Sequence, residues 1–111
     1  MFFTVSLKRN SDFRRLYAKG KSAASSRLVL YCRRREGERS RLGLTVGTRI
    51  GKAVVRDRVR RRLREIYRTN EGRFRPGTDL VVVARSRAVE STYRELEADF
   101  LRLAEKLGLL V

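Results

Sequence analysis

Histidine is absent from this chain of 111 residues, and cysteine occurs only once. Without histidine the chain lacks the most common general base and the most common zinc ligand. The single cysteine, Cys32, excludes an internal disulfide, and its place in an alternating apolar run favours a buried thiol over a nucleophile. No apolar run approaches the ~18 residues of a membrane span, and the N-terminus lacks the charged-then-apolar order of a signal peptide. We therefore expect a cytoplasmic protein with no membrane partner.

Acidic residues are too scattered to form a convincing catalytic pair. Asp57 and Glu65 share one predicted helix, where their eight-residue separation puts them about 80° apart around the axis. Glu36 and Glu38 fall in a charged turn, and Asp79 precedes a predicted strand. No site for acid–base or two-metal chemistry can be assembled from these positions. We therefore expect no catalytic residue in this chain.

Positive charge is what the chain has in excess, with 28 basic and 12 acidic residues and a net charge of +16. The charge is uneven, because residues 1–85 hold 24 of the basic residues and only 7 of the acids. Arginine dominates over lysine, and its planar guanidinium can bind a phosphate through two hydrogen bonds. A polyanion is therefore the first partner to consider for this single, globular domain.

Residues 49–68, RIGKAVVRDRVRRRLREIYR, contain the most informative pattern. Four apolar residues recur at helical spacing within an arc of roughly 80°, and they are Val55, Val59, Leu63 and Ile66. The seven arginines from Arg56 to Arg68 occupy the rest of the circumference. Like charges at i, i+4 destabilise an isolated helix by a few tenths of a kcal/mol per pair. The pattern predicts a helix with one face for a core and a wide face for phosphates.

Alternating and periodic apolar residues elsewhere predict one central sheet flanked by helices. The predicted elements are an irregular or extended lead at 1–7, a helix from Asn10 or Ser11 to Lys19, a polar loop at 22–26, strands at 27–35, 41–48 and 79–85, and helices at about 53–69 and 90–107. The strands at 27–35 and 41–48 are expected to form a hairpin. The order α-β-β-α-β-α predicts a small α/β (α+β) sandwich.

Three aromatic residues are candidates for stacking on nucleic-acid bases. Phe13 and Tyr17 lie one helical turn apart, and Tyr31 lies on the strand face opposite Leu28. If the first helix packs beside that sheet face, the three line one groove, where Thr45 is small enough to leave room. Bases stack on exposed aromatics, but aromatic stripes at helical spacing more often belong to a core. From spacing alone, the core interpretation is favoured for Phe13 and Tyr17.

The residues by themselves leave more than one nucleic-acid partner open. Glutamine is absent and asparagine occurs twice, which argues against sequence-specific reading of duplex DNA. A DNA-binding module with residues 53–69 as recognition helix would need a second helix packed just before it, where a strand is predicted. A general RNA-binding or ribosomal protein would share the same charge.

Over essentially its whole length the chain resembles the protein subunit of bacterial ribonuclease P. The resemblance is carried by NSDFRRLYAKGKS with RLVLYCRRR, by LGLTVGTRIGKAVVRDRVRRRLREIYR and by DLVVVARSRAVESTYREL, in the family's order. It implies that an RNA subunit performs the cleavage with magnesium ions held mainly by RNA. The protein would bind that RNA and the 5′ leader of precursor tRNA, with no protein partner required. It also implies a left-handed crossover between the parallel strands that flank the basic helix, an exception to the usual hand.

The resemblance also implies roles for individual residues. Contacts to the catalytic RNA fall on Arg49, Lys52, Arg56, Asp57, Arg58, Arg60, Arg61, Arg62, Arg64 and Arg68. The leader-binding cleft falls on Phe13, Tyr17, Tyr31 and Thr45, which replaces the core interpretation of the first two. The family usually has asparagine at the position of Asp57, whose carboxylate only accepts hydrogen bonds. Asp57 is thus a candidate magnesium ligand or a partner for Arg60 or Arg61.

Overall fold

A five-stranded mixed sheet with three α-helices packed on it forms the centre of the protein, in a computed structural model that describes residues 1–35 and 37–111. The elements are β1 (Thr4–Ser6), α1 (Asn10–Lys19), β2 (Lys21–Ala24), β3 (Leu28–Arg34), β4 (Ser40–Thr45), α2 (Ala53–Asn70), β5 (Thr78–Ala84) and α3 (Tyr93–Lys106). Short 3₁₀ turns lie at Thr48–Ile50, Glu71–Arg73 and Ser86–Ala88. Within the described residues, no helix is long and apolar enough to cross a membrane.

The strands lie in the order β1-β4-β5-β3-β2. β4 is parallel to both β1 and β5, whereas β3 is antiparallel to both β5 and β2. The α2 helix therefore lies in a crossover connection between the adjacent parallel strands β4 and β5. The left hand of this crossover stays a prediction. The register aligns Tyr31 of β3, Val81 of β5 and Gly43 of β4 side by side across the sheet.

The predicted fold class and all six predicted elements are confirmed, with ends that differ by a few residues at most. Two edge strands were not predicted as such. The lead contains β1, and the predicted polar loop at 22–26 is wrong, because β2 pairs there with β3. The predicted hairpin is also wrong, because β5 lies between β3 and β4. The charged turn predicted between them includes Glu36, which lies outside the described residues.

The central place of β5 follows from its sequence. Its side chains are buried on both faces of the sheet, as its nearly continuous apolar run predicts. Leu80 and Val82 join a large core against α2 and α3, whereas Val81 joins a small cluster with Leu7 and Leu16 beneath α1. A strand that is apolar on both faces gains most stability from a central position, where neighbouring strands pair with both of its edges. The less apolar β1 and β2 lie at the edges of the sheet.

An ion-pair network fixes α1 to the sheet. The guanidinium of Arg41 on β4 donates two hydrogen bonds to Asp79 on β5, at 2.9 and 2.7 Å, and one to Asp12 on α1, at 3.0 Å. The hydrogen bond and the charge of Asp79 raise the pKa of Arg41 despite its partial burial. Because Asp12 precedes Phe13, this network holds the first turn of α1, and with it the aromatic residues, in place over the sheet.

Candidate nucleic-acid interface

The α2 helix packs its apolar stripe against the core and directs its arginines toward solvent. Val59, Leu63 and Ile66 are buried against the sheet, as the spacing predicts, and Val55 is half-buried. One apolar side chain does not follow the pattern, because Val54 is 79% exposed. The arginine face is thus held by packing rather than by its own helical stability, which like-charge repulsion would lower.

The α2 arginines fall into two groups. Arg58, Arg61 and Arg64 are exposed and donate no hydrogen bond to any residue that the structure describes. Two others donate to backbone carbonyls at 3.2 Å, Arg56 to Gly51 and Arg62 to Ser91. The remaining two pair with acids of their own helix, Arg60 with Asp57 and Arg68 with Glu65. A guanidinium has five N–H donors, so even the partnered arginines retain donors for a phosphate.

Asp57 is paired within its own helix. Its carboxylate accepts a hydrogen bond from Nη1 of Arg60 at 3.0 Å, one turn away, and its side chain is 67% exposed. Of the alternatives for Asp57, a magnesium ligand or a partner for Arg60, Arg61 or another nearby arginine, the structure shows the pair with Arg60. The described residues contain no group of three side chains that could hold a metal ion. A role for Asp57 in binding magnesium stays a prediction, and it would require RNA phosphates as further ligands.

The four predicted cleft residues lie together between α1 and the sheet. The hydroxyls of Tyr17 and Thr45 form a hydrogen bond of 2.8 Å. The ring of Tyr17 meets Tyr31 edge-on with centroids 5.0 Å apart, and its centroid lies 6.4 Å from that of Phe13. Gly43 leaves the space for Phe13, because a Cβ there would lie 2.6 Å from the ring. The groove expected from packing of α1 beside this face is therefore present.

Phe13, Tyr17 and Tyr31 are each buried on one side and exposed on the other. Phe13 and Tyr31 are half-buried against the cluster of Leu7, Leu16 and Val81, while Tyr17 is 40% exposed. A cavity of about 490 Å³ opens beside them, lined by Asn10, Phe13, Arg14, Tyr17 and Thr45. The core interpretation thus holds for one side of Phe13, and the open sides of Phe13 and Tyr17 face this cavity.

Asn10 and Arg14 were missed as site residues, although the sequence held the signal for them. Both lie on the same helical face as Phe13 and Tyr17, at spacings of three, four and seven residues. Arg14 is exposed and brings a positive charge to the rim of the aromatic cavity. The cavity therefore combines rings that can stack with a cation that can meet a phosphate.

A second cavity links the aromatic cleft to the arginine helix. It has a volume of about 670 Å³, and Phe13 and Gly43 lie on one side of it and Arg60 and Arg64 of α2 on the other. Phe13 lines both cavities, so the two adjoin at its ring. Met1, the residues of β1 and the two that follow β1 complete the wall. No sequence pattern indicated this wall, because the pairing of β1 with β4 was not predicted.

Arg49 and Lys52 extend the basic surface past the other end of the cleft. A shallow cavity of about 420 Å³ contains Thr45, Arg49 and Arg85 in its lining, so it begins where the aromatic cavity ends. Lys52 is exposed at the first turn of α2. Of the predicted site residues, these cavities bring together six: Phe13, Tyr17, Thr45, Arg49, Arg60 and Arg64. Arg62 instead donates to the Ser91 carbonyl, and Tyr31 joins the cleft through its edge-on contact with Tyr17.

Comparisons with known proteins identify the family of this chain and agree with its fold. The ribonuclease P family profile matches residues 3–108. The chain is 43% identical over 104 residues to the ribonuclease P protein component of Alkaliphilus metalliredigens, covering 94% of each, and 36% identical over 109 residues to that of Clostridioides difficile, covering 97% and 96%. The RNase P protein of Staphylococcus aureus superimposes with a TM-score of 0.87 at 28% identity, covering 96% and 97% of the two chains. For that of Thermotoga maritima the TM-score is 0.81 at 29% identity, with 88% and 93% covered. The chain therefore belongs to the ribonuclease P protein family.

Proposed function

We propose that this chain, as the protein component of a ribonuclease P ribonucleoprotein, docks onto the catalytic RNA through α2 and holds the 5′ leader of precursor tRNA in the aromatic cleft. The observation that carries the proposal is that Phe13 lines both the cavity of the aromatic cleft and the cavity that Arg60 and Arg64 border. A single strand lying in the cleft would pass close to Arg60 and Arg64, so substrate and catalytic RNA would meet beside Phe13.

The chemistry of the cleft suits a single strand. Bases stack on aromatic rings without regard to sequence, and the open faces of Phe13 and Tyr17 offer such a platform. Arg14 at the rim and Arg60 farther along can neutralise successive phosphates. Stacking on these rings requires unpaired bases, so the cleft would select the single-stranded leader over the duplex part of the tRNA.

The proposed division of work places cleavage in the RNA subunit. Histidine is absent from the sequence, and no described cluster of carboxylates is suited to hold two metal ions. The chain would raise the affinity for leader-bearing substrate and, by neutralising phosphates, lower the magnesium concentration that the RNA needs. Magnesium would be held mainly by RNA, no protein partner would be required, and the precursor tRNA substrate would place the assembly in the cytoplasm.

Reconstitution tests this function directly. The chain is mixed with a bacterial ribonuclease P RNA at low magnesium, and cleavage of precursor tRNA is measured with a long and with a trimmed leader. Stimulation that is larger for the long leader is expected. No stimulation would contradict the proposal, and equal binding of precursor and mature tRNA would favour a general RNA-binding protein instead. A DNA-binding module with α2 as its recognition helix is not supported, because β4 and a 3₁₀ turn precede α2 where the second helix would have to lie.

A further inference from the structure

Arg62 lies on the side of α2 that is turned away from the leader cleft. It is two residues from both Arg60 and Arg64, and a separation of two residues is about 200° around a helix axis. Those two arginines line the cavity that adjoins the cleft, whereas Arg62 meets the loop between β5 and α3. Its side chain is half-buried, and its Nη1 atom donates to the carbonyl of Ser91 at 3.2 Å. Within the described residues, Arg62 is the one α2 arginine whose hydrogen bond reaches a distant part of the chain.

The residue that accepts this hydrogen bond is itself held in place. Ser91 is buried, and its hydroxyl donates to the carbonyl of Arg87 at 2.8 Å and accepts from Nε of Arg27 at 2.8 Å. Arg27 in turn pairs with Glu95 of α3 at 2.8 Å. Of the hydrogen bonds among described residues, only that of Arg62 reaches the Ser91 carbonyl. Loss of Arg62 would therefore leave this carbonyl without a partner in the protein.

The contact is directional, whereas the packing of the N-terminal half of α2 is not. Burial of Val59 holds this half on the core, and apolar burial has no preferred direction. Between residues 53 and 62, the other described side-chain hydrogen bonds stay within the helix or reach only Gly51 just before it. The C-terminal half has directional contacts of its own, to β1 and to α3. Arg62 therefore fixes the half of α2 that lacks them.

We propose that Arg62 is a positioning residue: through the Ser91 carbonyl it sets the orientation in which α2 presents Arg58 and Arg61 to the catalytic RNA. The proposal rests on the proposed function, which supplies the RNA, and it replaces the direct RNA contact that the family resemblance implied for Arg62. Several guanidinium groups meet successive phosphates at once only in one orientation of the helix, because a rotation of α2 moves all of them together. A helix that had to be ordered on binding would bind more weakly.

Single substitutions separate positioning from phosphate contact. R62M removes the donors and the charge but keeps a long side chain, whereas R62K keeps the charge and a donor for the carbonyl. R61M removes one outward arginine of the same helix, and R94M removes an exposed arginine of α3 as the control for lost charge. The affinity of each full chain for a bacterial ribonuclease P RNA is measured over a range of salt concentrations, together with its melting temperature.

The variant S91A perturbs the same contact from the other side. It keeps the carbonyl and the net charge but removes the hydroxyl that ties the loop to Arg27 and Arg87. If Arg62 positions α2 through this loop, S91A weakens RNA binding without changing the salt slope. The double variant R62M/S91A should then lose less affinity than the two single variants predict together, because both act on one contact.

R62M is expected to bind the RNA roughly threefold to tenfold more weakly at every salt concentration, with the log–log salt slope of the parent and with recovery in R62K. R61M should make the slope shallower by about 0.7–0.9, for one lost phosphate contact, and R94M should change neither quantity. A slope in R62M as shallow as that in R61M would show a direct phosphate contact and overturn the inference. An equal loss in R94M would overturn it as well.

Two further outcomes bear on the inference. Parental RNA affinity in R62M or S91A, even with a lower melting temperature, would show a purely structural role and overturn it, as would additive losses in the double variant. If R61M also leaves affinity and slope unchanged, α2 does not dock the RNA, and the proposed function fails together with the inference. A shallower slope in R61M beside parental binding in R62M overturns the inference alone.

Discussion

Replacing Tyr17 by leucine, in comparison with Tyr17→Phe, separates the stacking role of the ring from the hydrogen bond of its hydroxyl. The ring is 40% exposed and meets Tyr31 edge-on at 5.0 Å, so one side of it is available to a base. Stacking contributes about 1–3 kcal/mol per base, and because only part of the ring is open we expect a value near the lower end. That corresponds to a loss of about fivefold to tenfold in affinity for leader-bearing substrate.

The matched variant is Tyr17→Phe, which keeps the ring and removes the hydroxyl that hydrogen-bonds Thr45 at 2.8 Å. A partly exposed hydrogen bond contributes about 0.5–1.5 kcal/mol to stability. Tyr17→Phe is therefore expected to lower the melting temperature slightly while leaving leader affinity almost unchanged. Tyr17→Leu also loses the aromatic pair with Tyr31, about 0.5–1.5 kcal/mol, so both variants should remain folded.

The assay is equilibrium binding of precursor tRNA to the reconstituted ribonucleoprotein, with a leader long enough to cross the cleft and with a trimmed leader. Tyr17→Leu should weaken binding of the long leader only. The stacking argument is refuted if Tyr17→Leu weakens both substrates equally, or if Tyr17→Phe is as harmful as Tyr17→Leu. In the second case the hydrogen bond to Thr45, which holds the cleft in shape, would be the important contact.

Three further predictions test other parts of the surface and the fold. The double variant R60Q/R64Q should make the salt slope of RNA binding shallower by about 0.7–0.9 per lost contact, and a slope equal to that of the parent would remove α2 from the interface. Gly43→Ala should push the ring of Phe13 away, lowering stability by about 1–3 kcal/mol in denaturant titration and weakening long-leader binding; unchanged leader affinity would show that Phe13 is core only. Burial raises the pKa of Glu71, but hydrogen bonds from Thr4 and from the backbone N–H groups of Phe2 and Phe3 outweigh it and lower the pKa overall. Stability from Glu71 is therefore present at neutral pH and lost as the pH falls below about 4, and Glu71→Gln should flatten this part of a melting-temperature profile.

The sequence predicted what depends on local periodicity. The apolar stripe of α2, the alternation of β3 and the apolar run of β5 each identify an element and its buried face, and the structure confirms them. It did not predict β1 and β2, because three or four residues with mixed side chains carry no period, and their strand character comes from pairing with a neighbour. The order of the strands in the sheet depends on the same long-range pairing.

The candidate site was predictable to a similar extent. The arginine face follows from composition and helical angle, whereas the cleft required knowledge of which sheet face α1 covers. The ion pairs of Arg41 with Asp12 and Asp79 decide that placement, and no spacing rule connects residues that lie 29 and 38 positions apart in the chain. The family resemblance supplied this information, since it implied a cleft at Phe13, Tyr17 and Tyr31 before any packing was known.

The openness of the cleft follows from an imbalance between the two faces of the sheet. Two helices, α2 and α3, cover one face and bury a large core, whereas α1 alone lies on the other. A helix of 10 residues is about 15 Å long, and five strands spaced about 4.8 Å apart form a sheet about 19 Å wide. One short helix cannot cover that area, so Phe13, Tyr17 and Tyr31 are anchored on one side and remain open on the other. Aromatic residues in such a position lose little conformational entropy when a base stacks on them, because the fold already holds their rings.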